Sequence, residues 1–237
     1  MNSSVIDEIF YDALSLLKEM ISTPSHSREE KDVSDKIFNF IENKISSCDI
    51  NRTNNNIWVV SKDFNSSLPT ILLNSHIDTV KPVDGWQRNP YSAEEEDDTI
   101  YGLGSNDAGA SVVALLAAFR ILTEKERKYN LIYSVSAEEE VSGKNGMELL
   151  IKELPKIDFA IVGEPTNMQP AAAEKGLMVL DCTVKGVSGH AARNEGVNAI
   201  YKALEIIDKI KNFKFEKVSP LLGEVKMTVT GDRKSVV

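Results

Sequence analysis

Ile71-Leu72-Leu73-Asn74-Ser75-His76-Ile77-Asp78 decides the fold: a short apolar, β-rich run ends on a histidine and is followed two residues later by an aspartate. Runs of similar make-up lie at residues 57–60, 131–136 and 159–162, with helix-like stretches between them. Strands alternating with helices predict an α/β domain on a mainly parallel sheet. Acids follow the strands. Glu138, Glu139 and Glu140 come directly after the third run and Glu164 after the fourth, while Asp107 sits on the glycine-rich turn Gly102-Leu103-Gly104-Ser105-Asn106 before an apolar helix. In open α/β sheets ligands bind at the carboxyl ends of the strands, so residues distant in sequence are expected to share one crevice.

The rest of the chain sets bounds on this reading. Its 237 residues are 42% hydrophobic, 27% charged and 7% aromatic, enough for a sizeable core in one large or two modest domains. Asp and Glu number 36 against 27 Lys and Arg, a net charge of -9 that argues against a nucleic-acid partner. Cys48 and Cys182 stand far apart without a CxxC, so neither a disulfide framework nor a thiolate zinc site is encoded, which fits a reducing cytoplasm. The first 20 residues carry Asp7, Glu8 and Asp12 among Ile6, Ile9, Phe10, Leu14 and Leu17, an amphipathic helix rather than an export signal. The longest apolar run, residues 112–119, is short of the ~20 residues that span a bilayer, so a soluble protein without a membrane partner is expected.

From Leu177 the pattern changes. Leu180, Cys182 and Val184 alternate with Asp181, Thr183 and Lys185, as in a strand with one buried face, which makes Cys182 a small packed residue. A helix with Ile200, Ala203, Leu204, Ile207 and Ile210 on one side follows, then a strand-like run at 225–229. The expected division is a catalytic domain over residues 1–176 and an incomplete α+β domain over 177–237.

Of three histidines, His26 in the polar loop Pro24-Ser25-His26-Ser27 reads as an ordinary hydrogen-bonded residue. His76 differs, because Asp78 nearby can hold its tautomer, as carboxylates do for metal-binding imidazoles. Asp107, Glu140 and Glu164 supply more carboxylates than a structural zinc needs, and without a cation they would repel one another. Oxygen-rich sites of this kind are typical of hydrolytic metal centres. The second acidic run, Glu94-Glu95-Glu96-Asp97-Asp98, reads as solvated loop. Ser188, two residues before His190, is poorly placed to form a nucleophile–base pair with it.

Four segments carry a resemblance: His76-Ile77-Asp78-Thr79-Val80, Tyr101-Gly102-Leu103-Gly104-Ser105-Asn106-Asp107, Ala137-Glu138-Glu139-Glu140 and Gly163-Glu164-Pro165-Thr166. In that order and spacing they resemble the dinuclear zinc metallopeptidases of family 20, which include acetylornithine deacetylase, succinyl-diaminopimelate desuccinylase and aminoacylase. The chain departs from the family pattern at Glu138, where aspartate is common, and at Ser142, where a glycine pair is usual. The resemblance implies that His76 and Glu164 bind one metal, Asp107 bridges two, and Glu140 binds the second. Glu139 would be the general base and Asp78 would steer His76. The implied cofactors are two zinc ions, with cobalt as an alternative.

Gly186-Val187-Ser188-Gly189-His190-Ala191-Ala192-Arg193 resembles the family's inserted, ferredoxin-like lid, through which members dimerise. His190 would then reach a neighbouring subunit's site as an oxyanion donor. The wording of this region looks most like the acetylornithine deacetylase branch, which implies an N-acyl-ornithine substrate and a place in arginine biosynthesis. A succinyl-diaminopimelate desuccinylase, a dipeptidase and a catalytically silent binding relative are the alternatives. The family also takes a second-metal histidine from a segment after the lid, and no histidine follows His190 here. The last residues, Asp232-Arg233-Lys234-Ser235-Val236-Val237, match a translated sequencing adapter, so a chain shortened at its C-terminus is expected.

Overall fold

The computed structural model describes residues 3–193 and 195–231; the adapter-like residues 232–237 lie outside them. In chain order, the first unit runs through α1 (Ser3–Ile21), α2 (Lys31–Lys44), β1 (Cys48–Thr53), β2 (Asn56–Ser61), β3 (Thr70–His76), β4 (Glu94–Glu96) and β5 (Thr99–Tyr101). It continues through α3 (Ala110–Thr123), β6 (Asn130–Ser136), α4 (Met147–Leu150) and β7 (Phe159–Val162). All four expected strands form. They join a five-stranded sheet in the order β1-β2-β6-β3-β7.

That sheet is mixed rather than mainly parallel. β3 runs parallel to β6 and β7, whereas β2 is antiparallel to both β1 and β6. The β1–β2 pairing is set locally: the two strands are joined by only Asn54 and Asn55, a link that can only reverse the chain, and Asn54 takes φ 54°, tolerable for asparagine. The parallel half sets the site, because β3, β6 and β7 end at the same edge.

Period-2 alternation gives β6 two apolar faces. Leu131, Tyr133 and Val135 face a core with Ile57, Val59 and Leu73 of the sheet and with α1, α2 and α3, which bring in Leu16, Leu17, Ile37, Ile41, Val112, Leu116 and Phe119. Ile132 lies in a smaller cluster with Trp58, Leu72 and Leu150 of α4. The stretch Ser105–Thr123 is apolar and long enough to match a membrane span by length and composition; in this fold α3 packs on α1 and β3, with Phe119 wholly buried. α1 is amphipathic as expected, although Ile6 and Phe10 stay exposed and burial concentrates at Leu16, Leu17, Met20 and Ile21. The second acidic run is a strand and turn rather than a loop. Glu94–Glu96 pairs with β5, and Arg88, stacked 4.0 Å over the Tyr101 ring, holds Glu94 and Glu96.

The chain divides into two compact units, Met1–Met168 and Gln169–Val237, against the expected boundary at 176/177. In the second unit α5 (Ala199–Asn212) forms where the apolar spacing places it, capped by Asn198 Oδ1, which accepts the Ile200 N–H at 2.8 Å. The two expected strands do not form among the described residues. Alternation specifies which face a strand would bury, but a ladder also needs a neighbour, and none pairs with these segments. Leu177 and Leu180, Cys182 and the apolar stripe of α5 are accordingly not buried.

Candidate metal centre

Three parallel strand ends and one glycine turn build the site. β3 ends on His76, whose ring is 1% exposed. Its Nδ1–H donates to the backbone carbonyl of Asp78 at 3.0 Å, so Nε2 is the nitrogen turned to the acids. The Asp78 carboxylate lies 3.5 Å from Nδ1 and has further work: it accepts from Ser27 Oγ at 2.7 Å and from the N–H groups of Glu139 and Glu140 at 2.9 and 3.1 Å. Steering of the ring is therefore shared between the main chain and the carboxylate of Asp78. Burial alone would raise its pKa, but the bonds from His76, Ser27 and those two amides hold it below the usual carboxylate range.

Asp107 arrives on the turn before α3. Gly104 takes φ 74° there, and a Cβ would meet Thr79 Cγ2 at 2.6 Å, so only glycine lets this turn close on the segment after β3. Asp107 Oδ1 lies 3.0 Å from His76 Nε2. Glu164 follows β7, whose end is tied to β3 by Ser75 Oγ donating to the Gly163 carbonyl at 2.8 Å, and its Oε2 is 3.8 Å from the same nitrogen. Glu140 completes the group: His76 Nε2 or Nδ1 and one oxygen each from Asp107 and Glu140 lie within 4.8 Å of one another. Glu139 is exposed, and among the described residues its carboxylate has no hydrogen-bond partner.

Electrostatics fit a cation at this place. Burial pushes the Glu140 carboxyl up, and Asp107 and Glu139 add to it, against His76. Glu164 is raised by burial and by Glu139, Asp107 and Glu140, again against His76. Burial would lower the His76 pKa, but the hydrogen bond and charge of Asp78, with Glu164 and Asp107, push it up to about 9. One imidazole thus faces a surplus of negative charge, which a divalent ion would neutralise while using these atoms as ligands.

Other expected residues fall elsewhere. His190 lies in the second unit, exposed, on a loop closed by paired hydrogen bonds between Val187 and Val197. Its Nδ1 accepts the Ala192 N–H at 3.3 Å, and no bond to Ser188 occurs among the described residues. His26 Nε2 meets Tyr91 Oη at 3.2 Å, while its buried Nδ1 has no partner among the described residues. Cys48 and Cys182 are both free. Glu30, Asn56 and Ser27, which the sequence did not mark, prove to be part of the site's support.

The mixed α/β sheet thus gathers at one edge an imidazole and several carboxylates, a donor set that divalent cations take as ligands. The chain belongs to the peptidase family M20/M25/M40, whose model matches residues 72–230. Among its relatives is a succinyl-diaminopimelate desuccinylase of Wolbachia pipientis wMel, 27% identical over 86% of this chain and 55% of that one. An acetylornithine deacetylase of Klebsiella pneumoniae (strain 342) is 36% identical over 59% of this chain and 37% of its own length. Of solved structures, an M20 family metallo-carboxypeptidase of Sulfolobus solfataricus overlays with a TM-score of 0.51 at 26% identity, over 69% of this chain and 37% of that one. The chain thus spans about half the length, or less, of the curated relatives it matches.

Proposed function

We propose that the protein is a metal-dependent amide hydrolase that removes the acyl group from an N-acyl amino acid, with N-acetylornithine or N-succinylornithine as the first choice of substrate. The observation that carries this reading is the convergence of His76, Asp107 and Glu140 donor atoms within 4.8 Å at the strand ends. His76 and Glu164 would hold one divalent ion, Glu140 a second, and Asp107 both; zinc is the first choice and cobalt the alternative. Bound there, the ions would supply a lowered water pKa and a polarised substrate carbonyl.

The chain's own residues do the rest. Asp78 fixes the His76 ring and, through two amides, the turn that carries Glu139 and Glu140. Glu139, left unpaired and exposed beside the donors, takes a proton from the attacking water and returns it to the leaving amine. His190 would donate to the developing oxyanion from a second copy in a homodimer formed through the second unit. The net charge of -9 suits a small-molecule substrate rather than nucleic acid, and the free cysteines suit a cytoplasmic setting in arginine biosynthesis.

A desuccinylase acting on succinyl-diaminopimelate is the second reading, favoured by the Wolbachia relative's longer match to this chain. A hydrolysis screen of the metal-loaded whole gene product against acetylornithine, succinylornithine, succinyl-diaminopimelate and dipeptides tests both. Acetylornithine or succinylornithine is expected to turn over fastest. Succinyl-diaminopimelate or dipeptides turning over alone would replace the assignment, and bound metal without any hydrolysis would make the protein a binding relative.

A further inference from the structure

The turn at residues 137–140 leaves β6 and carries Glu139 and Glu140, yet it pairs with no strand. Buried N–H groups in such a turn need acceptors. Here four consecutive ones each find a side chain: Ala137 donates to Asn56 Oδ1 (2.9 Å), Glu138 to Glu30 Oε1 (3.2 Å), Glu139 to Asp78 Oδ1 (2.9 Å) and Glu140 to Asp78 Oδ2 (3.1 Å). Asn56, Glu30 and Asp78 are all 0% exposed.

Glu30 is the informative member. A buried carboxylate without a cationic partner is costly unless donors surround it. Among the described residues Glu30 forms no ion pair; it is held by the Arg28 N–H (2.5 Å), Asn55 Nδ2 (2.9 Å) and the Glu138 N–H, at the N-terminus of α2. An apolar side chain would pack there at lower cost, so the charge is explained by what it grips. That is Glu138, at φ 56° and ψ 24°, a left-handed conformation that L residues avoid. The Glu138 side chain turns back to accept from Asn145 Nδ2 at 2.8 Å, and the Asn145 carbonyl accepts from Asn56 Nδ2 at 2.6 Å. Gly143 makes room, since a Cβ there would meet Glu138 Oε2 at 1.9 Å. The circuit closes on the residue that precedes Glu139.

We infer that Glu30 and Asn56 are positioning residues: by holding the Ala137 and Glu138 amides they complete, with Asp78, a buried cradle that aims Glu140 at the His76–Asp107 donors and leaves Glu139 facing solvent. This inference rests on the metal-hydrolase reading above.

The test compares the 237-residue chain with E30A, E30Q and V33A by cobalt(II) titration with visible spectra and by amide hydrogen exchange. E30A is expected to bind the second, weaker cobalt ion, the one that Glu140 serves, at least ~10-fold more weakly with shifted d–d bands while the first stays tight, a loss of the size seen when groups supporting metal ligands are removed. The Glu139 and Glu140 amides should lose protection with it. E30Q keeps an acceptor oxygen for the Glu138 N–H and should recover most of both signals. V33A trims a buried residue of the same helix without touching the turn, and should change neither. Wild-type affinity and spectrum in E30A, or the same change in V33A, would overturn the inference. If the parent chain binds no cobalt, the metal reading fails instead, and exchange decides: unchanged protection at Glu139 and Glu140 in E30A removes the positioning role, and lost protection keeps it. Should E30A not fold, E30D, one methylene too short to reach the Glu138 N–H, is judged by the same outcomes.

Discussion

Adjacent residues in one turn are given different tasks by what their backbones and side chains meet. Glu140 lies with the donors, whereas Glu139 shares the Asp78 clamp at its N–H but keeps a free carboxylate. Glu139→Gln should therefore leave metal content near normal while lowering turnover of the whole enzyme ~10²–10⁴-fold, the range for a lost general base. Metal analysis beside kinetics checks this; near-normal turnover would move the base elsewhere. His190 should behave differently, costing ~10²–10³ in turnover as a single oxyanion donor while sparing metal. If it acts across a dimer, mixing His190→Ala with Glu139→Gln subunits should regenerate some active sites. No recovery after confirmed subunit exchange would confine it to its own subunit or remove it from catalysis. His76, Asp107, Glu140 and Glu164 were legible because each follows a recognisable strand or glycine turn. Glu30 was not, since an acid in the charged run Arg28-Glu29-Glu30-Lys31-Asp32 looks solvated until the fold wraps three donors around it.

Elements were legible in proportion to their apolar content. β2, β3, β6 and β7 are β-branched or leucine-rich runs and could be read directly, as could α5. β1, Cys48-Asp49-Ile50-Asn51-Arg52-Thr53, is a polar edge strand without a clean alternation, and its one signal was the Asn54-Asn55 link that turns it back on β2. The helical layer is also tied by charge: Asp12 of α1 accepts from Lys44 of α2 and Arg120 of α3, each at 2.9 Å. Burial would raise the Asp12 carboxyl, but both cations outweigh it and hold its pKa below the ordinary value. A depressed folded-state pKa stabilises the protein above the unfolded value of about 3.9 and ceases to do so as pH falls through the folded value. Asp12→Asn should thus cost about 1 kcal/mol at neutral pH, and the difference should shrink steadily below about pH 4. Urea unfolding of both proteins at pH 7 and near pH 3.5 measures it; an equal gap at both pH values would show that shape, not charge, holds the three helices.

At the scale of the whole chain, donors and partners are unevenly supplied. His76, Asp107 and Glu164 can serve one ion, but a second is left with Asp107 and Glu140, and catalytic zinc usually takes three protein ligands. On the far side of the sheet, β7 pairs among the described residues only with β3, and Phe159, Ile161 and Val162 are 60%, 44% and 58% exposed. An exposed apolar edge strand is a template for pairing with another chain. The 237-residue chain should accordingly bind one zinc tightly, self-associate with rising concentration, and show no useful amide hydrolysis, whereas a chain extended by the second-metal histidine segment that the family resemblance implies should bind two ions and turn over. Zinc calorimetry and sedimentation on both proteins, followed by one assay, decide the matter. Ile161→Lys, which puts a charge on the open edge, should lower self-association of the short chain without changing its zinc stoichiometry. Two tight sites and full activity in the short chain would mean that its own residues already complete the second site.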